Sequence, residues 1–339
     1  MDRKLASIQT ITEILPHPNA DKLEIAKILG WQAIVLKDQY KAGEQVVYIE
    51  TDAVLPEGKE EWEFMRDRHF KVKTIKLRGV ISQGLVFHMD ILNGEVELPH
   101  DPYAVGDDVT EILGITKYEP YVPAQLAGIR KGNFPDFVYK TDETRIQAVP
   151  ELIASRQNTP FYVTEKVDGS SMTVYLKDGE FGVCSRNFDM KETEDNSFWK
   201  VARALDLENK LRSCNKNIAL QGELVGPGVQ KNKCALDKLT MLVFNVFNID
   251  TGTFMDFEDF KGWLRYFDLQ SVPIVEENKL LPATVEELVE YSKAPSLLNP
   301  KSPRKGVVFR PLVNCYDETL RGRLSFKVIN PEFLLKYDE

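Results

Sequence analysis

The stretch Lys166-Val167-Asp168-Gly169-Ser170-Ser171 decides how the second half of the chain is interpreted. Apolar, β-prone residues lie on both sides of it, at 161–164 and at 172–176. Such runs bounded by turn residues predict two successive strands. Lys166 is therefore expected at the end of a strand, on a sheet edge that faces a cleft.

Lys166 is a residue of the type that can carry a nucleotide covalently. A lysine attacks only as a neutral amine, and its ordinary pKa is about 10.4, so a site must lower that pKa by nearby positive charge or by desolvation. Asp168 offers the oxygen ligands that hydrated Mg²⁺ prefers, and Gly169 allows phosphate and backbone to approach closely. Because this short pattern also occurs in ordinary surface turns, further residues must support it.

Further motifs follow along the chain. They are Ser185-Arg186-Asn187, Gly222-Glu223-Leu224-Val225-Gly226-Pro227-Gly228-Val229-Gln230-Lys231-Asn232, the apolar run 241–249, Gly306-Val307-Val308-Phe309-Arg310 and Ser325-Phe326-Lys327. The glycine-rich run is far more specific than Lys-x-Asp-Gly, and an ordinary structural sheet gives no reason for it.

With these motifs, residues 166–330 resemble the ATP-dependent RNA ligases of the RNA ligase 2-like branch, within the covalent nucleotidyltransferase superfamily. The resemblance implies an adenylyltransferase domain of ATP-grasp-like antiparallel sheets with helices. It also implies the cofactors ATP and Mg²⁺ or Mn²⁺, and a reaction through lysyl-AMP and an RNA-adenylate that joins a 3′-hydroxyl to a 5′-phosphate. Each step is a phosphoryl displacement, which depends on positioning and charge neutralisation.

The resemblance also implies roles for individual residues. Lys166 is the nucleophile, the backbone of Glu165 positions adenine, Asp168 holds metal-bound water, and Glu223 binds the ribose or the water shell of the metal. Arg186 and Arg145 engage ATP, AMP or the RNA end, and Arg310 and Lys327 are cations for phosphates. Phe247 stacks on adenine, whereas Phe244 belongs to the core.

The sequence departs from the family pattern at two positions. Lys305 stands where the family has a glutamate that binds a metal water ligand, and Ile329 replaces the second lysine of a Lys-x-Lys pair. We expect Lys305 to weaken metal-dependent adenylylation, and Lys305→Glu to raise lysyl-AMP formation.

Short strands separated by turn residues fill the first hundred residues and predict a small barrel. Within them, residues 66–78 alternate cations with apolar residues, as a strand with a basic face would. The predicted RNA contacts on this stretch are Arg68, Lys71, Lys73, Lys76 and Arg78. An ordinary solvated strand face would give the same charge pattern.

Two motifs in this region resemble the tRNA-binding OB domains. They are Leu15-Pro16-His17-Pro18-Asn19-Ala20-Asp21-Lys22-Leu23 and Leu77-Arg78-Gly79-Val80-Ile81-Ser82-Gln83-Gly84. His17 is expected to form local hydrogen bonds in a turn. The predicted fold class is therefore α+β, with an all-β OB barrel at residues 1–112, a linker at 113–140 and the nucleotidyltransferase domain at 141–339.

The composition fits a large enzyme that lies outside membranes. The chain has 339 residues and a net charge of −9, so basic residues must be concentrated locally if it binds RNA. No apolar run is long enough for a membrane span, and no signal peptide is recognisable. The four cysteines form no C-x-x-C pair, which predicts reduced thiols and an intracellular location, cytoplasmic or nuclear.

The predicted function is an ATP-dependent RNA ligase. Its partner is RNA with 3′-hydroxyl and 5′-phosphate ends in a nicked duplex, and the protein acts as a monomer. Two alternatives remain: a DNA ligase or capping guanylyltransferase, which share the covalent lysine, and an RNA-binding protein with a degenerate ligase domain, which Lys305 and Ile329 would favour.

Overall fold

A computed structural model describes residues 3–92, 103–118 and 128–338. The chain divides into two compact units. The first comprises Met1–Pro120, Ile146–Pro150 and Pro331–Glu339, and the second comprises Tyr121–Arg145 and Glu151–Asn330. Residues 119–127 of the predicted linker lie outside the described residues.

The first unit is built on an antiparallel sheet of five strands in the order β3-β2-β1-β4-β8. The strands of the whole unit are β1 (Ala6–Pro16), β2 (Leu23–Ile28), β3 (Trp31–Leu36), β4 (Gln45–Ile49), β5 (Ala53–Val54), β6 (Ile75–Leu77), β7 (Val80–Ser82), β8 (Leu85–Phe87) and β9 (Thr116–Lys117). Helix α6 (Pro331–Tyr337) and 3₁₀ helices Glu60–Arg68, Met89–Leu92 and Ile146–Ala148 complete it.

Strand β1 gives this sheet its curvature. Its first half pairs with β4, its second half pairs with β2, and the register shifts between Ile11 and Glu13. A bulge of this kind bends and twists a strand, as a barrel requires. Hydrogen bonds then link β3 to the chain at β7, where Ser82 Oγ accepts from the backbone N–H of Ile34 at 2.9 Å. The result is the near-closed antiparallel barrel that the sequence predicts.

The basic stretch is not one continuous strand, so that prediction was wrong for residues 66–74. Residues Glu60–Arg68 form a 3₁₀ helix whose Trp62 and Met65 are buried, and His69 ends it in a left-handed conformation. Only Ile75–Leu77 of the stretch is a strand. The apolar spacing of Trp62 and Met65 places both on one face of a helical turn, and this outweighs the alternation that follows.

The second unit contains two larger sheets. Its strands are β10 (Arg130–Asn133), β11 (Thr144–Arg145), β12 (Phe161–Glu165), β13 (Ser170–Lys177), β14 (Glu180–Cys184), β15 (Phe188–Met190), β16 (Ile218–Val225), β17 (Thr240–Asn248), β18 (Thr253–Phe254), β19 (Ile274–Lys279), β20 (Gly306–Pro311), β21 (Tyr316–Asp317), β22 (Gly322–Arg323) and β23 (Phe326–Ile329). The seven-stranded sheet has the order β10-β15-β14-β13-β16-β17-β18, and the five-stranded sheet has the order β11-β23-β20-β12-β19. Neighbouring strands are antiparallel, apart from the parallel pair β11 and β23.

Three helices pack against the seven-stranded sheet through their apolar faces. The helices of the unit are α1 (Glu151–Arg156), α2 (Ser197–Ala204), α3 (Leu207–Arg212), α4 (Phe257–Tyr266) and α5 (Val285–Ser292), with a 3₁₀ turn at Gln230–Asn232. Asn196 caps α2 by accepting from two backbone N–H groups, and Phe257 of α4 stacks on Tyr162 with ring centroids 4.2 Å apart. The aromatic faces of α2 and α4 therefore belong to the core.

No helix within the described part of the chain is both long and apolar enough to cross a membrane.

Candidate active site

Lys166 follows the last residue of β12, as predicted, and its backbone is fixed to the neighbouring strand. The N–H of Lys166 donates to the carbonyl oxygen of Gly306, the first residue of β20, at 2.9 Å. A Cβ atom on Gly306 would lie 2.2 Å from the carbonyl oxygen of Val328, so only glycine fits there. This close packing holds Lys166 beside the residue that follows Lys305.

Gly169 serves a similar purpose on the other side of Lys166. A Cβ atom there would lie 2.4 Å from the carbonyl oxygen of Leu224 and 2.7 Å from Cγ of Glu223. Its N–H donates to Glu223 Oε1 at 3.1 Å. The glycine thus permits close approach of β16, and the approach brings Glu223 to the nucleophile.

The carboxylate of Asp168 is held between two lysines. Its Oδ1 accepts from Lys305 Nζ at 2.6 Å, and its Oδ2 accepts from Lys233 Nζ at 2.7 Å. Burial favours the neutral acid, but Lys305 and Lys233 outweigh it and hold the pKa of Asp168 below its ordinary value. Lys305 therefore neutralises a carboxylate where the family resemblance expects another acid.

The environment of Lys166 favours its neutral, nucleophilic form. Burial lowers the pKa of the Lys166 amine, Glu223 opposes this, and the positive charge of Lys305 adds to the lowering. Burial also raises the pKa of Glu223. Both shifts have the sign that a desolvated site produces, and the lowered lysine pKa is the one a lysine nucleophile needs.

The predicted phosphate cations are brought to the same unit and are paired with acids that the sequence analysis did not identify. Arg186 and Lys327 both donate to Asp142, at 2.9 and 3.0 Å. Arg310 is buried and donates to Glu143 at 3.2 Å and to Thr164 at 3.1 Å.

Arg145 is buried, and it lies on β11 directly opposite Lys327 of β23. Glu165 is also buried, and its side chain accepts from the backbone N–H of Leu297 at 2.7 Å. That contact anchors the loop after α5. The side chain of Glu165 is thus structural, which leaves its backbone for the predicted contact with adenine.

The two phenylalanines of β17 differ in their exposure. Phe247 is only 2 % exposed and packs against Tyr139 and Phe254 in the core, so its stacking on adenine stays a prediction. Phe244 is partly exposed, and it packs against the apolar cluster that includes Val167 and lies under the guanidinium of Arg310. Phe244 therefore has the more accessible of the two rings and lies beside one of the predicted phosphate cations.

The predicted RNA-binding cations lie in the first unit and have different surroundings. Arg68 and Lys73 line a shallow groove together with the exposed ring of Phe64. Lys71 lies 3.3 Å from the ring centroid of Tyr118, and Lys73 also pairs with Asp338 at 3.0 Å. The other two, Lys76 and Arg78, are exposed near the β6–β7 turn.

The two OB-like motifs contact each other. His17 is buried, its Nδ1 accepts from the N–H of Asn19, and its Nε2 lies 3.2 Å from the carbonyl oxygen of Leu77. An acceptor Nδ1 requires the proton on Nε2, which then donates to Leu77. Asn19 also donates to the carbonyl oxygen of Arg78 at 2.9 Å. The expected local hydrogen bond of His17 is confirmed, and the motifs position the β6–β7 turn.

The described residues include no group of three or more acidic, histidine or cysteine side chains arranged to hold a metal ion. Asp168 and Glu223 supply two carboxylates. Magnesium is commonly bound by one or two carboxylates together with substrate phosphates, so these residues fit an ion that ATP helps to hold.

Comparison with known proteins agrees with this geometry. The RNA ligase family model matches residues 159–329, and an OB-fold domain model matches residues 5–89. No curated protein matches the chain.

Solved structures of an RNA ligase from Naegleria gruberi match nearly the whole chain at 34% identity. The structure with PPi gives a TM-score of 0.88 and covers 99% of both chains. A mutant with ATP and Mn gives 0.88 and covers 99% of this chain and 100% of that one, and a mutant with AMP and Mn gives 0.86 and covers 98% of each. With its Lys166 site, its OB-like barrel and this similarity, the chain belongs to the ATP-dependent RNA ligase family.

Proposed function

We propose that the protein joins RNA 3′-hydroxyl and 5′-phosphate ends at nicks in a duplex, using ATP and Mg²⁺ or Mn²⁺. The observation that carries this proposal is the environment of Lys166, whose amine has a lowered pKa and is flanked by Glu223 and Lys305. The Naegleria ligase, solved with ATP and Mn, supports the choice of cofactors.

The reaction proceeds by three displacements at phosphorus. The Lys166 nitrogen attacks the ATP α-phosphorus, a nitrogen–phosphorus bond forms, pyrophosphate leaves, and the nitrogen releases a proton. An RNA 5′-phosphate oxygen then attacks the AMP phosphorus, and the lysine leaves with a proton regained. Finally the 3′-hydroxyl oxygen attacks the 5′-phosphate, AMP leaves, and the hydroxyl proton is released.

Residues of the second unit position these groups. Arg186, Lys327 and Arg310 bind phosphate oxygens, and Phe244 stacks on adenine in place of Phe247. Arg145, which is buried on β11 opposite Lys327, engages ATP or the RNA end. Asp168 and Glu223 would bind the divalent ion with the ATP phosphates, and that ion would neutralise charge on the transferred phosphoryl group.

The barrel supplies RNA contacts outside the catalytic unit. Arg68 and Lys73 of the groove contact phosphates beside the ring of Phe64, which can stack on a base. Lys71, Lys76 and Arg78 add sequence-independent phosphate contacts. Such binding should weaken as salt rises, since each phosphate contact releases counterions.

Labelling with ATP tests the central step. The protein is incubated with ATP labelled at the α-phosphate and Mg²⁺ or Mn²⁺, denatured, and analysed for retained label. We expect label on the native protein and none on Lys166→Ala. By contrast, Lys177→Ala, which removes a partly exposed lysine at the end of β13, should label normally. Label from GTP instead of ATP would indicate a capping guanylyltransferase.

Sealing assays separate the remaining alternatives. A pre-adenylylated strand in a nicked duplex should be sealed by Lys166→Ala, because its lysyl-AMP step has been bypassed. Comparing ribose and deoxyribose on each side of the nick distinguishes an RNA ligase from a DNA ligase. Retained RNA binding with no label under either metal would make the protein an RNA-binding protein with a degenerate ligase domain, an outcome that the Lys305–Asp168 contact makes worth testing.

We further propose domain limits of 1–112, 113–140 and 141–339, a monomer in solution, and an intracellular location. The four free cysteines fit a reducing compartment. Sedimentation at several protein concentrations tests the monomer.

A further inference from the structure

The acidic segment Thr141-Asp142-Glu143 contacts several elements of the active site. Thr141 Oγ1 lies 2.7 Å from the Oγ of Ser171 on β13. Asp142 pairs with Arg186 and Lys327, and Glu143 pairs with Arg310. The segment therefore places two negative charges among the cations that the proposed function assigns to phosphates.

Asp142 bridges two of these cations through separate oxygens. Its Oδ2 accepts from Arg186 Nη2 at 2.9 Å, and its Oδ1 accepts from Lys327 Nζ at 3.0 Å. Its charge also reaches Lys166: burial lowers the pKa of that amine and Lys305 adds to the lowering, whereas the carboxylates of Glu223, Asp142 and Asp168 oppose it. A carboxylate with these neighbours makes the contacts that a phosphate group would make there.

The two acids differ in how firmly they are held. The side chains of Asp142 and Arg186 are 40 % and 54 % exposed, and ion pairs in such surroundings are weak. Glu143 and Arg310 are 19 % and 3 % exposed, so breaking that pair would leave a buried charge without its partner. Asp142 is the acid that a ligand can displace, while Glu143 keeps the segment attached.

We propose that Asp142 occupies the position of a substrate phosphate in the nucleotide-free protein, and that ATP displaces it from Arg186 and Lys327. This inference rests on the proposed function, which supplies ATP as the ligand. In the free protein the contact keeps the two flexible cations in one arrangement, which lowers the ordering required at binding. The same contact competes with the incoming phosphate and therefore limits affinity.

Removing the charge of Asp142 while keeping the shape of its side chain tests this inference. In Asp142→Asn the competing charge is gone from both Arg186, which is 54 % exposed, and Lys327, which is 13 % exposed. We therefore expect ATP to bind about three- to thirtyfold more tightly. Asp142→Ala should act in the same direction. Asp178→Asn is the matched control, because Asp178 also forms an exposed ion pair, with Lys177 at the far end of β13, and should leave affinity unchanged.

Calorimetry on the full chain gives the readout. The ligands are α,β-methylene ATP, whose bridge between the α- and β-phosphorus prevents lysyl-AMP formation, and inorganic pyrophosphate, and thermal unfolding is followed in parallel. Tighter binding of both ligands to Asp142→Asn, with unchanged unfolding temperature, supports the inference.

Two results separate failure of the inference from failure of the proposed function. Equal or weaker binding of both ligands to Asp142→Asn overturns the inference. Asp142 would then not compete with the ligand, and weaker binding would mean that it orients the two cations for the ligand. Absence of ATP binding by the unaltered chain contradicts the proposed function instead, and pyrophosphate binding then still decides the role of Asp142.

Discussion

Replacing Lys305 by glutamate reverses the charge that neutralises Asp168, and its effects can be worked out from the site. Lys305 Nζ lies 2.6 Å from Asp168 Oδ1, and these side chains are 22 % and 6 % exposed. The variant would lose a charge-assisted hydrogen bond, worth about 1.5–3 kcal/mol. Two carboxylates about 4 Å apart repel by at most about 4 kcal/mol at an effective dielectric constant of 20, and uptake of a proton by one of them reduces this.

Asp168 keeps its second partner, Lys233, at 2.7 Å, so the loss of stability should stay moderate. Without metal we expect the free energy of unfolding to fall by about 2–4 kcal/mol, which corresponds to a lower unfolding temperature by about 4–16 °C for a domain of this size. Three carboxylates, at 168, 223 and 305, would then be available to a divalent ion. At a Mn²⁺ concentration of 100 times its Kd, binding would restore about 2.7 kcal/mol.

The same substitution should change adenylylation in a metal-dependent manner. Lys305 helps to lower the pKa of Lys166, so its replacement by an acid raises that pKa and reduces the neutral amine. With saturating Mn²⁺ the bound charge reverses this effect, and we expect more lysyl-AMP than in the unaltered protein.

Two assays measure these effects: Mn²⁺ titration followed by thermal unfolding, and retention of label from ATP labelled at the α-phosphate. Lys301→Glu, an exposed lysine in the preceding loop, controls for added negative charge. If the variant with saturating Mn²⁺ labels no better than the unaltered protein, the assigned role of Lys305 is refuted.

Two further predictions concern the nucleophile and the nucleotide base. The rate of adenylylation should rise with pH and level off below the ordinary lysine pKa of about 10.4, because burial lowers the pKa of Lys166. Lys305→Met removes a positive neighbour and raises that pKa, so it should shift the pH–rate profile to higher pH. An unchanged or lower midpoint of the profile would contradict this reasoning. Phe244→Ala should weaken ATP binding by about 5- to 150-fold if stacking on the base is worth about 1–3 kcal/mol. By contrast, Phe247→Ala should lower the free energy of unfolding by about 3–5 kcal/mol and leave the ATP affinity of the folded protein unchanged. Calorimetry measures the affinity and thermal unfolding measures the stability. Weaker ATP binding by Phe247→Ala, with normal binding by Phe244→Ala, would show that Phe247 is the ring that stacks on adenine.

Much of the site could be predicted because its residues stand in short motifs. Lys166, Asp168 and Glu223 lie at strand ends or within apolar runs that the sequence makes visible. Their order along the chain, with Arg310 and Lys327 later, was enough to indicate the family. Such motifs give the residue type at each position, but they do not give the side chain that contacts it in the folded protein.

The sequence analysis did not identify Asp142 or Lys233 because their partners in the site are distant in sequence. Asp142 and Lys327 are 185 residues apart, and residues 140–145 read as an ordinary polar loop. Lys233 lies just beyond the glycine-rich motif and pairs with Asp168 across 65 positions. No local pattern encodes either contact.

The difference in exposure between Phe244 and Phe247 has a separate physical cause. The register between β16 and β17 shifts so that Gln221 lies opposite Asn245, while Gly222 lies opposite Val243. Phe244 is the extra residue of this bulge. Strand alternation assumes one residue per partner, so the sheet face on which each ring lies could not be read from the apolar pattern.

The two lysines on Asp168 have a consequence for chemical selectivity. Three amines, those of Lys166, Lys233 and Lys305, lie around one electrophilic phosphorus in the proposed complex, yet only one may carry the nucleotide. An ammonium that donates to a carboxylate has no free lone pair with which to attack. Asp168 thus engages the amines of Lys233 and Lys305 as hydrogen-bond donors, which leaves Lys166 as the sole nucleophile.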